Sequence, residues 1–344
     1  MSDDAYLALL HGRRVRRLRT LGVSIALAVV AFAAFCWSIA VGDFPIPVLD
    51  VPGVLLGQGS PKDDFIVNEL RLPRAVVALL VGAAFGISGA IFQALTRNPL
   101  ASPDIIGITA GASATAVFGF IVLDLGGTSI ALAAVLGGLT TSMLIYALAW
   151  RRGMSAYRLV LVGIGIAAMA MALTSYLLSR AELYEAREAN LWLTGSLNGR
   201  GWEQAGPLLV AMAVLIPIAI ALIPKLRTLQ LSEDTARGLG VRVNLSRSGL
   251  ILVAAALASV ATATAGPVAF VAFVAGPIAR RLVNGPLAVL PAALVGAALV
   301  LASDVVGRRL FEPTEIPVGI ITALVGAPYL ILLLARANRV GRGG

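Results

Sequence analysis

Side chains able to carry out chemistry are scarce in this chain of 344 residues. His11 is its single histidine and Cys36 its single cysteine, which excludes a disulfide framework and the usual metal and haem sites. The lysines, Lys62 and Lys225, do not follow glycine, so the chain has no ATPase P-loop. We therefore predict no catalytic residue, no metal site and no directly bound cofactor. Any energy that the protein uses must therefore come from a partner.

One polar stretch, LSEDTARGLGV at 231–241, lies between two long apolar runs. Ser232 suits a helix N-cap, and Glu233 and Asp234 follow in the first turn, where the helix dipole favours anions. We predict a short helix that docks against another protein, because its small residues permit close approach. The alternative is a helix lying on lipid, which the two carboxylates disfavour beside an anionic leaflet. The predicted docking residues are Ser232, Glu233, Asp234, Thr235, Ala236, Arg237, Gly238, Leu239 and Gly240.

The composition predicts an all-α polytopic membrane protein. Hydrophobic residues make up 58% of the chain and charged residues only 13%, against roughly 25% charged in soluble domains. A helix needs about 20 residues to cross a bilayer. Charge-free runs that meet this need lie at 21–42, 75–96, 105–123, 128–150, 159–179, 205–224, 282–303 and 316–335.

A further run at 248–279 is too long for one span and contains the tripeptide AGP twice, at 265–267 and 275–277. Proline interrupts a helix because it lacks the backbone donor and clashes with the preceding turn. We predict that the run divides into a span at 248–265 and a shorter helix at 268–283. The chain then has ten spans, with helix breaks expected at both AGP sites.

The ten-span topology agrees with the distribution of charge. With both termini cytoplasmic, most of the 27 basic residues fall on the inner side, as the positive-inside rule requires. We predict a multi-pass membrane protein with a basic tail at 1–20, a transmembrane domain at 21–336 and a C-terminal tail at 337–344. The segment 231–241 is then cytoplasmic. The net charge of +9 is explained by this topology and by contact with anionic lipid, not by nucleic-acid binding.

Glycine and alanine recur at helical spacing within the spans, which predicts close helix–helix packing. These small-residue segments are 82–90, 111–114, 137–138, 163–168 and 296–299. In the inner turn at 96–107, Ser102 and Pro103 suit the N-cap and first position of a helix.

Arginines on the predicted outer side run against the positive-inside bias. Arg71 and Arg74 precede the second span, and Arg308 and Arg309 follow the ninth. They either pair with carboxylates of a delivered protein or extend to outer lipid headgroups. Composition leaves both possibilities open.

Several ordered motifs resemble the FecCD family of permeases from ABC importers of iron chelates, haem and cobalamin, over about 66–336. They are RLPR, GISGAIFQALTRNPLASPDIIGITAGAS, LVLVGIGIAA, LWLTGSL, LSEDTARGLGVRV, AGPVAFVAFVAGPIARRL and PTEIPVGIITALVGAPYLILLL. The resemblance implies the type II importer fold, in which a ten-helix subunit dimerises around a central pathway. It also implies two cytoplasmic ATPase subunits and an extracytoplasmic binding protein as partners.

The same resemblance assigns roles to individual residues. It identifies 231–241 as the helix that couples to the ATPase. Arg71, Arg74 and Arg308 are similar to arginines that receive glutamates of the binding protein. Asn98 and Leu100 correspond to the inner gate turn, and Ala156 and Tyr157 to a second gate loop, where the chain departs from the small hydroxyl residues common in the family. For the pathway wall we predict four small or weakly polar side chains, namely Met171, Ser175, Thr262 and Thr264.

The segment SRAELYEAREANLWLTGSLNG at 179–199 resembles ferric-enterobactin-type subunits. That resemblance favours a ferric siderophore as cargo and a heterodimer with a second permease chain. Haem or cobalamin as cargo and a homodimer stay open.

Two functions from other classes compete with this interpretation. An autonomous ion-coupled transporter is disfavoured because no acidic or basic residue lies inside the core of a predicted span. A membrane-embedded enzyme lacks a cluster of catalytic side chains.

Overall fold

The computed structural model describes residues 3–42, 44, 46–47, 50–150 and 155–340. Within these residues the chain is built from α-helices joined by short turns, with a π-helical segment, Phe65–Arg71, leading into the fourth helix. The end of the predicted C-terminal tail, 341–344, lies outside the described residues. The helices are α1 (Asp3–Ala40), α2 (Val51–Leu55), α3 (Pro61–Asp64), α4 (Leu72–Thr96), α5 (Pro103–Ile106), α6 (Ile108–Val122), α7 (Thr128–Ala149), α8 (Ala156–Arg180), α9 (Leu183–Leu193), α10 (Trp202–Leu229), α11 (Glu233–Gly238), α12 (Val243–Ala265), α13 (Val271–Val283), α14 (Val289–Arg309) and α15 (Val318–Val340).

The all-α, ten-helix architecture is confirmed in the described part of the chain. The ten predicted spans correspond to α1, α4, α6, α7, α8, α10, α12, α13, α14 and α15. Seven of these helices are long and apolar enough to cross a membrane by themselves, and α6 and α15 offer shorter apolar lengths. Helix α13 has 13 residues. Helix α1 begins at Asp3, so the described part of the basic N-terminal tail continues directly into the first span.

The two AGP sites behave differently. The chain leaves the helix at Gly266 and resumes at Val271, which confirms the first break. The predicted second break is wrong, because Pro277 lies inside α13. A proline at this position leaves the carbonyl of Phe273 without its helical donor. The Gln93 side-chain amide of α4 donates to that carbonyl at 3.0 Å, so a neighbouring helix replaces the missing hydrogen bond.

Helix α4 lies at the centre of the bundle and packs against α10, α12, α13 and α14. A Cβ atom added at Gly82 or Gly86 would collide with the backbone of α14, and one added at Gly89 would collide with α13. The predicted role of small residues is therefore confirmed here, because these glycines allow backbones to touch. Gly165 is an exception, since a Cβ atom there would meet open space.

Candidate coupling, gate and outer-face sites

The predicted docking segment forms a capped helix, α11. The backbone N–H of Thr235 donates to the Ser232 hydroxyl at 3.2 Å, which confirms the N-cap. The Ala236 side chain of α11 is fully buried. Arg247 of α12 forms an ion pair with the Glu233 carboxylate, with an N–O distance of 2.6 Å. These contacts hold α11 against the bundle. A Cβ atom at Gly238 would meet nothing within 4 Å, so the outer surface of the helix is open.

The inner turn after α4 is built from local hydrogen bonds. Arg97 ends α4 in the left-handed conformation, with φ of 51°. The Asn98 side-chain oxygen accepts from the Leu100 N–H at 2.9 Å, and the Ser102 hydroxyl accepts from the Ile105 N–H at 3.3 Å. The predicted N-cap is confirmed, and Asn98 acts as the residue that shapes the turn.

Arg97 connects this turn to the docking segment, a contact that we did not predict. Its guanidinium donates to the backbone carbonyl of Leu231 at 2.5 Å and to that of Leu229 at 3.3 Å. A cavity of about 610 Å³ beside this contact is lined by residues of both segments, including Asn98 and Gln230. The sequence contains one signal for this contact. An arginine directly after the end of a helix can reach free backbone carbonyls of a neighbouring segment.

The second predicted gate loop leads into α8. Ala156 is the first residue of that helix and is half-buried, whereas Tyr157 is exposed. Helix α5, which follows the inner turn, packs against α8, and a Cβ atom at Gly163 would lie 2.5 Å from the Ile106 carbonyl oxygen. The two predicted gate segments are therefore joined to elements that touch each other.

At the opposite end of the bundle, Arg71 and Arg308 bind the end of α1. Arg71 donates to the carbonyls of Ile39 and Ala40 at 3.0 and 3.1 Å. Arg308 donates to the Ser38 carbonyl at 3.1 Å. The last carbonyls of a helix lack partners within the helix. These two arginines supply the missing donors and fasten α1 to α14 and to the π-helical segment that precedes α4.

Arg74 forms a network of ion pairs with two carboxylates. It lies 2.9 Å from Asp304 and 3.1 Å from Glu315. Asp304 is almost fully buried and also lies 3.1 Å from Arg308, so one carboxylate serves two arginines. We call Arg71, Arg74 and Arg308 the outer arginine cluster. All three line a cavity of about 520 Å³, but each has internal partners, and their docking role stays a prediction.

Comparison with known proteins identifies the family. The model of the FecCD transport family matches residues 11–336. The chain belongs to that family. It is 41% identical to the ferric enterobactin transport system permease protein FepG of Escherichia coli over 322 residues, which is 93% of this chain and 98% of FepG. It is 42% identical to the achromobactin transport system permease protein CbrC of Dickeya dadantii, over 97% of each chain.

A solved structure agrees with the family assignment. An inward-facing metal-chelate type ABC transporter matches with a TM-score of 0.79 and 27% identity, over 92% of this chain and 99% of that one. The resemblance in the motifs is thus confirmed, and this FecCD chain is a multi-pass ABC transporter permease with the type II importer fold.

The residues predicted for the pathway of this FecCD permease lie in different environments. Met171 and Ser175 are exposed on α8. Thr264 lines a cavity near the C-terminal end of α12. The prediction for Thr262 is corrected, because the side chain has no exposed surface and its hydroxyl donates to the Ala258 carbonyl at 2.8 Å. Helix packing encloses Thr262 and removes it from any open wall.

Asp104 of α5 lines a mainly apolar cavity of about 320 Å³ together with Phe270 and Leu330. Burial raises the pKa of its carboxyl to about 6, and a hydrogen bond with Thr109 opposes the shift. The apolar surroundings thus favour protonation of Asp104 as the pH falls toward 6.

Proposed function

We propose that this FecCD permease imports an iron(III)–siderophore complex across the bacterial inner membrane, with both chain termini in the cytoplasm. An extracytoplasmic binding protein delivers the complex, and two cytoplasmic ABC ATPase subunits supply the energy by hydrolysing ATP with Mg²⁺ as their metal ion. The cargo assignment is supported by relatives such as FepG and CbrC, whose names specify ferric enterobactin and achromobactin. Identity above 40% over nearly the whole of both relatives favours a ferric siderophore over haem or cobalamin.

The observation that carries the ATP-driven mechanism is the geometry of α11. The helix is anchored inward through Ala236 and through the ion pair of Glu233 with Arg247. Its Gly238 side is open. A short, rigidly anchored helix with an unfilled outer surface suits insertion into a cleft of an ATPase subunit.

Arg97 gives this movement a route to the inner gate. Because its guanidinium holds the carbonyls at 229 and 231, a displacement of α11 pulls on the turn that carries Asn98 and Leu100. Alternating opening of the inner and outer gates then follows from rigid-body tilting of packed helices. The wall of the pathway includes weakly polar side chains, namely Met171 and Ser175 of α8 and Thr264 of α12.

A second permease chain completes the pathway in this proposal, and a heterodimer is favoured because the segment 179–199 is similar to that of subunits with a different partner. Differently tagged copies of this chain test the arrangement. Recovery of both tags in one assembled transporter supports a homodimer, and recovery of one tag with a different permease supports the heterodimer.

Reconstitution tests the proposed function. Proteoliposomes containing both permease chains and the ATPase subunits receive radiolabelled iron(III) tris-catecholate bound to the binding protein. We expect uptake only when ATP is present on the ATPase side. Uptake driven by a proton gradient without ATP would instead support an autonomous transporter. Preference of the cognate binding protein for haem or cobalamin would overturn the cargo assignment.

A further inference from the structure

Two neighbouring cavities lie at the end of the bundle opposite α11, since α9 and α11 flank the two ends of α10. The smaller one, about 170 Å³, reaches inward to Thr264, and the larger one, about 510 Å³, lies along the segment after α9. Three residues, Phe120, Trp192 and Arg200, line both cavities. They form the shared wall of one continuous surface region.

Arg200 differs from the outer arginine cluster in having no internal partner. Among the described residues its side chain makes no hydrogen bond and no ion pair, and its buried Nε atom has no acceptor. Burial also lowers the pKa of this guanidinium, because desolvation penalises the charged form. A partly buried cation with unused donors is unfavourable by itself. It becomes favourable once an anionic oxygen enters the cavity.

The carboxylates that line the two cavities do not pair with Arg200 in the described structure. Glu315 is paired with Arg74 at 3.1 Å, and Glu188 accepts a hydrogen bond from the Tyr184 hydroxyl at 3.2 Å. Glu203 lines the smaller cavity but is exposed and forms no ion pair with Arg200 in the described structure. The chain thus does not neutralise Arg200 internally.

The residues around Arg200 indicate which kind of anionic ligand suits the two cavities. Phe120 and Trp192 meet edge to face, with ring centroids 6.5 Å apart, and both rings line the cavities. Ser196 and Asn198 add polar groups along the larger cavity. Aromatic rings beside a cation favour a ligand that is itself aromatic and carries anionic oxygens.

We propose that Arg200, Trp192 and Phe120 form an outer subsite that binds the anionic catecholate oxygens and rings of the ferric chelate as it enters the permease. This inference rests on the proposed function and adds to it a subsite on this chain. Arg200 binds the phenolate oxygens, and the two aromatic residues contact the ligand rings. Thr264 lies where the smaller cavity leads from this subsite toward α12.

The experiment uses the complete transporter in lipid nanodiscs. The tryptophans Trp37, Trp150 and Trp202 of this chain and every tryptophan of the partner subunits are replaced by phenylalanine, so that the fluorescence comes from Trp192. Free iron(III) tris-catecholate, a strongly coloured anionic chelate, is titrated while the fluorescence of Trp192 is recorded. We expect saturable quenching, with the half-saturating concentration raised about tenfold in Arg200→Gln, because a charge-assisted hydrogen bond is lost. Arg200→Lys keeps the charge and should recover most of the affinity.

Arg187→Gln is the matched control, since Arg187 is exposed on α9 and lines neither cavity. Its titration should match that of the parent protein within about twofold, as for an exposed charge. Thermal stability separates binding from a structural role. Arg200→Gln removes no internal bond and should melt at or above the parent temperature, whereas a marked fall in melting temperature would overturn the proposal.

Two further results would also overturn it. One is equal quenching of the parent protein and Arg200→Gln. The other is weakened binding-protein association in Arg200→Gln with unchanged chelate titration, which would assign Arg200 to a carboxylate of the binding protein. Uptake by the parent proteoliposomes is scored separately. A parent that transports while these titrations fail contradicts only the subsite, and a parent that does not transport contradicts the proposed function.

Discussion

The α11 segment and the outer arginine cluster are both polar groups at the ends of an apolar bundle, and both suggest docking. They differ in how their polar groups are satisfied. Arg71, Arg74 and Arg308 donate to carbonyls and carboxylates of their own chain. In α11 the internal contacts involve Glu233 and Ala236, while the Gly238 side stays open. The fold thus leaves an open surface on α11, whereas the arginine cluster already has partners within the chain.

The largest effect is expected from filling the open side of α11. Gly238→Trp should lower the affinity for the ATPase subunit by about a hundredfold, because overpacking an interface costs up to ~3 kcal/mol. The permease itself should keep its melting temperature, since a Cβ atom at position 238 has no atom of its own chain within 4 Å. Copurification of the ATPase measures the effect.

Gly206→Trp serves as the control, because Gly206 has equally open surroundings but lies near the start of α10, at the other end of that helix from α11. ATPase copurification should be normal in this variant. Normal copurification in Gly238→Trp as well would contradict insertion of α11 into a cleft.

A second variant tests the structural role of the outer arginine cluster. Asp304→Asn removes the carboxylate shared by Arg74 and Arg308 and should lower the free energy of unfolding by about 2 kcal/mol. This is below the ~3–5 kcal/mol for fully buried pairs, because both arginines keep some solvent contact. Thermal unfolding of the purified chain in detergent measures the loss.

Glu312→Gln is its control, because the ion pair of Glu312 with Arg309 is exposed and should contribute less than about 0.5 kcal/mol. Equal stability losses in Asp304→Asn and Glu312→Gln would show that the buried network does not hold the outer end together.

The connection between α11 and the inner turn predicts an intermediate effect. Arg97→Gln removes the guanidinium that binds the carbonyls of Leu229 and Leu231. Transport should fall about tenfold, since a hydrogen bond from a charged group contributes ~1.5 kcal/mol or more. ATPase binding should persist, because the open side of α11 is unchanged.

Uptake and ATP hydrolysis measured together in proteoliposomes reveal this uncoupling. Arg227→Gln removes an exposed arginine of α10 and should leave both rates unchanged. Proportional loss of ATPase binding and uptake in Arg97→Gln would argue against transmission through the turn.

The smallest effect is expected from a variant that tests whether the outer arginine cluster also binds the extracytoplasmic binding protein. Glu315→Gln releases one partner of Arg74 and should strengthen binding-protein association by about twofold to fivefold, as expected for a partly exposed ion pair of ~0.4–1 kcal/mol. If Arg74 has only a structural role, the affinity for the binding protein should not change. Glu312→Gln, which does not touch Arg74, should leave the affinity measured by surface plasmon resonance unaltered.

Features that depend on residues close in sequence were predicted correctly. The hydrophobic runs predicted ten helices, and Ser102 and Ser232 cap helices as expected. Pro277 was mispredicted because a residue distant in sequence, Gln93, satisfies the carbonyl that the proline leaves free. Thr262 was mispredicted because hydrophobic periodicity does not reveal which face of a helix its neighbours enclose.

The order and length of the helices follow from the sequence alone, because each helix satisfies its own backbone and a bilayer demands a set length of apolar chain. Which polar side chains are free was decided by the tertiary structure. Arg74 finds Asp304 across 230 positions of sequence, and Arg97 finds Leu231 across 134. Arg200 finds no partner. Such pairings depend on the packing of whole helices, since hydrogen bonds act over about 3 Å and the chain brings those atoms together only when folded.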